Sequence, residues 1–138
     1  MMTTTTRIGM STETEFPFAE ALAVVSEALK HEGFGVLTTI DVRATMKVKL
    51  DAEMPDYVIL GACNPALAYA ALKDDPDVGL LLPCNVTVRA QEGGGSVVSF
   101  MDPLVIAELS DAEGLAEVAA LARQKLERVL AEVKGARR

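Results

Sequence analysis

The stretch Tyr57–Leu72, YVILGACNPALAYAAL, restricts this chain more than any other, because it holds no charged residue and is cut in two by Asn64-Pro65. A run that apolar leaves no side for water, so YVILGAC reads as a central strand with neighbours on both edges. Asn64 is placed to cap a following helix, and Pro65 to take its first position, where an N–H would lack a partner anyway. Pro76 closes that segment. Even uninterrupted, the stretch falls short of the roughly 18 apolar residues that mark a membrane-spanning helix. The fold must therefore bring a buried strand straight into a helix start, with Cys63 at the joint.

The remaining elements follow from pattern. TTTTRIGMST is β-prone and reads as one opening strand. FPFAEALAVVSEALKHEGFG reads as a helix with Pro17 in its first turn, Phe18, Leu22, Val25 and Leu29 on one stripe, and Gly33 beyond its end. FGVLTTID alternates as a strand, and Asp41 caps a short helix, VRATMKVKL, with Val42, Met46 and Leu50 as its apolar side. GLLLPCNVTVRA and SVVSFMD read as two strands joined by the hairpin loop QEGGG. The tail, about 111–134, is the longest helix, with Ser110 and Glu113 at capping-box spacing and Gly135 near its end. Its Leu115, Ala119, Ala122, Leu126, Val129 and Val133 form a wide stripe that needs a cover. The order predicts a single α+β domain, helices packed on one sheet that contains an antiparallel hairpin.

Composition narrows the partners. Thirteen basic residues against 20 acidic ones give a net charge of −7, which repels phosphate backbones, so nucleic acid is not an expected partner. The opening MMTTTTRIGM lacks the apolar run of a secretory signal. Two cysteines among 138 residues match neither a disulfide scaffold nor a CxxC pair, and reduced thiols in a cytoplasmic protein without membrane segments are the expectation.

The candidate chemistry centres on Cys63. One residue before a helix cap, its sulfur is placed near unsatisfied amides and the positive end of a helix dipole, surroundings that favour thiolate, nucleophilic attack and soft metals. The competing reading is a small hydrophobe that ends a buried strand. Cys84 follows Pro83, which must sit at a bulge, edge or break and can re-aim the next side chain. If the two strands are neighbours, Cys63 and Cys84 share a pocket with the amides of Asn64 and Asn85; otherwise they are unrelated core thiols. Two thiolates suit copper(I) or, with further ligands, zinc. Asp102 is a conceivable third ligand, although before Pro103 it more simply starts a turn. Arg43 and Lys47 at i,i+4 make a small basic face able to attract an anionic ligand. GGG at 93–95 lacks phosphate-loop spacing, and a single histidine, His31, at a helix end supports no Ser-His-Asp set.

LGACNPALAYAAL, DPDVGLLLPCNVTV and VVSFMDP, together with KHEGFGVLTTIDVRATMKVKL, resemble the domain of unknown function 302 family over residues 16–106. The resemblance implies a compact α+β fold similar to the TATA-binding-protein-like class and a homodimer. It also points to Lys47, Lys49, Cys63, Asn64, Pro65, Pro83, Cys84, Asp102 and Pro103, and assigns no activity or cofactor. The expectation for function is a small-ligand-binding protein whose site includes a reactive Cys63. The alternatives are a thiol protein handling soft metal, sulfur or redox equivalents, and a structural homodimeric module.

Overall fold

The computed structural model describes residues 2–138. Strands β1 (Thr3–Thr5), β2 (Gly9–Thr14), β3 (Gly35–Asp41), β4 (Tyr57–Cys63), β5 (Cys84–Ala90) and β6 (Ser96–Met101) alternate with helices α1 (Phe18–His31), α2 (Val42–Leu50), α3 (Pro65–Asp74), α4 (Leu104–Leu109) and α5 (Leu115–Gly135). The strands form one sheet in the order β1-β2-β6-β5-β4-β3, every neighbouring pair antiparallel. Helices α1 and α5 cover one face, so the fold is α+β. No helix among the described residues is long and apolar enough to cross a membrane.

Period-2 alternation decides which side chains meet the helices. Val58, Leu60 and Ala62 of β4, Val86 and Val88 of β5, and Val98 and Phe100 of β6 are buried beneath Val25, Ala28 and Leu29 of α1 and Leu126, Val129 and Val133 of α5. The C-terminal part of the aliphatic stripe on α5, Leu126, Val129 and Val133, is thus covered by the chain's own sheet. A second apolar cluster, Ala71, Val78, Ile106 and Leu115, gathers where α3, α4 and the first turn of α5 meet. Helix α5 belongs to both clusters, its N-terminal half to the smaller and its C-terminal half to the larger.

Both predicted Asx caps form. Asp41 Oδ1 accepts from the Ala44 amide at 2.9 Å, and Asn64 Oδ1 from the Leu67 amide at 3.3 Å. Gly33 takes φ 82°, the left-handed conformation expected just past α1.

Several elements differ from the sequence expectation. The opening strand is a hairpin, because the Thr6 amide donates to the Gly9 carbonyl at 2.7 Å and reverses the chain. GLLLP is not strand: Pro76–Leu81 is a 3₁₀ helix whose start Asp75 caps through the Asp77 amide at 3.0 Å, and β5 begins only at Cys84. After Pro103 the chain forms α4, with Asp102 Oδ1 accepting from the Leu104 amide at 2.9 Å. Ser110 does not cap α5. Its hydroxyl donates to Asp75 Oδ2 at 2.5 Å and accepts from the Ala112 amide at 3.2 Å, so the long helix starts at Leu115.

Candidate functional site

A cavity of about 310 Å³ lies at the seam between the two apolar clusters. Phe34, Ala62 and Cys84 wall it from the sheet side, and Ala71, Ile106 and Leu115 from the smaller cluster. Its room comes from small side chains: Ala68 and Ala71 on α3 and Ala119 and Ala122 on α5 stand where larger residues would close the space. No charged side chain lines it, and Asn64 supplies the one side-chain amide.

Both cysteines line this cavity, and both are free. The β4–β5 register brings them close: Ala62 sits directly opposite Cys84, so Cys63 is one rung further along the neighbouring strand, about 6 Å away at Cα, and as the last residue of β4 it reaches the cavity from the strand end. Cys84 is buried and Cys63 half-buried at the strand end. Burial pushes the Cys84 thiol up to about 11, and the nearby Cys63 sulfur acts in the same direction. Cys84 therefore keeps its proton at neutral pH.

Asn64 holds the α3 start in place from two sides. Its carbonyl oxygen caps the helix, and its amide nitrogen donates to the Glu32 carbonyl at 3.3 Å, beyond the end of α1. Gly33 makes this possible, since a Cβ there would stand 3.0 Å from Asn64 Nδ2. Pro65 occupies the first helical turn, as its fixed φ allows.

The other sequence-predicted residues lie elsewhere. Asn85 points from the opposite face of the sheet, consistent with its odd position relative to Cys84. Arg43 and Lys47 sit on α2, at the far end of β4 from Cys63, and their charges are engaged: Arg43 Nη1 with Asp56 at 2.9 Å, Lys47 Nζ with Asp51 at 2.6 Å and Glu53 at 2.8 Å. Asp102 caps the turn into α4 and faces Arg123 at 3.7 Å, while its neighbour Pro103 lines the cavity. His31 pairs with Glu132 at 2.9 Å, a contact that ties α1 to α5 and raises the imidazole above its usual range. Among the described residues no group of three or more His, Cys, Asp or Glu side chains could hold a metal ion.

Sequence reasoning missed the walls from α4 and α5. Those alanines read as ordinary stripe positions, and only the tertiary arrangement turns them toward a shared space. It also missed the clasp of Asp75 on Ser110, which closes the α3 side of the cavity onto the segment before α5.

No curated protein matches the chain. Its fold matches the crystal structure of an uncharacterized conserved protein, DUF302, from Bacillus stearothermophilus, with a TM-score of 0.84 and 26% sequence identity over 93% of this chain and 99% of that one. The family model "Domain of unknown function DUF302" matches residues 10–133, wider than the stretch from which the resemblance was read. With most of its length inside that match and the same architecture, this chain belongs to the DUF302 family.

Proposed function

We propose that this protein binds a small, predominantly apolar molecule in the cavity between sheet, α3 and α5, with the Cys63 thiol as the reactive group at its wall. The observation that supports this reading is a 310 Å³ space lined by both sulfurs and by no charged side chain, near the lower end of the size range of ligand pockets. The anionic ligand considered from Arg43 and Lys47 has no comparable support, because both cations are already paired. Cys63 is the accessible thiol and Cys84 the buried one. Brief alkylation at neutral pH, followed by peptide mass analysis, should modify Cys63 well before Cys84. Alkylated Cys63, or Ala68→Leu, should also abolish binding of an apolar fluorescent probe. Equal labelling only on unfolding, or probe binding indifferent to both changes, would remove the proposal.

A soft-metal reading draws on one further observation, that both free thiols line the same cavity. Two sulfurs without further ligands suit copper(I) better than zinc.

We also propose a cytoplasmic homodimer. Leu37, Ile40, Val48 and Leu50 are exposed along the edge strand β3 and helix α2, and this surface replaces the buried α5 stripe as the candidate contact. Light scattering should return twice the 14.7 kDa chain mass; the single mass refutes it.

A further inference from the structure

The uncovered face of the sheet carries a second concavity, opposite the helices and separate from the cysteine cavity. It measures about 780 Å³, and the strands present a mixed lining to it, polar side chains interspersed with Ile8, Tyr57, Val97 and Met101. The register aligns four hydroxyls across four strands: Thr4 lies opposite Ser11, Ser11 opposite Ser99, and Ser99 opposite Thr87. All four line the trough. None of these hydroxyls makes a side-chain hydrogen bond among the described residues, whereas Thr12, Thr14 and Ser96 on the helix-covered face each make one. Adjacent strands are about 4.8 Å apart, so the row extends for roughly 14 Å.

The rungs on either side add complementary groups. Asn85 lies opposite Gly61 on one side. On the other, Arg89 sits between Val97 and Tyr57. Arg89 makes no ion pair among the described residues, although Arg43, Arg123, Arg128 and Arg138 all do. Glu13, two strands away on the same rung, accepts from Gln91 Nε2 at 2.7 Å. The trough thus holds one cation, unpaired among the described residues, alongside the carboxylates of Glu13 and Glu92, offers groups that both donate and accept, and has the Tyr57 ring at its edge. Such a lining selects for hydroxyls rather than for net charge, and an aromatic edge suits the apolar face of a sugar ring.

We propose that this trough binds a short neutral saccharide, its hydroxyls exchanging hydrogen bonds with the Thr4–Ser11–Ser99–Thr87 row, Asn85 and Arg89. Two carboxylates, Glu13 and Glu92, beside one cation argue against a polyanion, and the hydroxyl row argues against the wholly apolar ligand of the other cavity.

The test is a titration of ¹⁵N-labelled protein with cellotriose and with maltotriose, followed by amide shifts. At least one should give saturable shifts confined to β1, β2, β5 and β6 and to Tyr57 at the start of β4. Ser99→Val combined with Thr87→Val should weaken that binding about tenfold or more, since the sugar hydroxyls that faced those side chains lose their partners. Arg89→Gln, at an exposed position, should weaken it as well and serves if the double variant does not fold. Cys63→Ser should leave it unchanged, which separates this site from the thiol cavity. Absence of saturable shifts with both sugars, or binding untouched by these trough variants, overturns the proposal. So does a two-copy mass that falls to one copy in Arg89→Glu, because the face would then be covered by a second chain.

Discussion

At Cys84, burial and the adjoining Cys63 sulfur oppose loss of the thiol proton, moving it from an ordinary 9.0 to about 11. The folded chain then keeps a proton that the unfolded chain loses. Below pH 9 this group leaves stability unaltered. Between about pH 9 and pH 11 it subtracts a contribution that grows to roughly 2 to 3 kcal/mol. Urea unfolding of the wild type and Cys84→Ala across that window should show the wild type losing its advantage as pH rises. A difference that stays constant with pH would contradict this account. The meeting of the two cysteines was not legible in the sequence, because it depends on a β4–β5 register set by packing that joins distant segments. The separation of Arg43 and Lys47 from them has the same origin: strand direction carries α2 to the far end of β4.

Helix α3 shows what local chemistry does make legible. Asn64 and Pro65 announce its start, and the structure adds the amide bond to Glu32 that sequence could not supply. Asn64→Ala removes both the cap and that tie, and should cost about 1 to 2 kcal/mol. Chemical denaturation measures the loss, and Asn64→Asp should recover the cap portion alone. An Asn64→Ala protein as stable as the wild type would show that Pro65 and packing suffice. Elements α1, β3, α2, β4, β6 and most of α5 likewise follow from periodicity and caps. The 3₁₀ turn at Pro76–Leu81, helix α4 and the opening hairpin do not. Each is short, so a hydrophobic period has no length in which to declare itself, and a few side-chain bonds, Asp75 to Asp77 or Thr6 to Gly9, decide its shape.

For the whole molecule, the position of α5 across both apolar clusters has a mechanical corollary. Its residues Leu126, Val129 and Val133 are clamped to the sheet at 0%, 0% and 1% exposure. The Leu115–Ala122 portion, which walls the cavity, is an extension of that anchored rod. The facing wall is assembled from α3, Leu82, Pro83 and the six-residue α4, with the 3₁₀ turn packed against it through Val78. The cavity resembles a vice with one jaw fixed and one able to travel, so the passage of a guest must fall to the jaw built from short pieces. Amide hydrogen exchange should find α4 opening well before the C-terminal half of α5, with occupancy of the cavity slowing α4 most. Uniform exchange across both walls would mean that the vice has no travelling jaw, and that guests enter only when the entire domain unfolds.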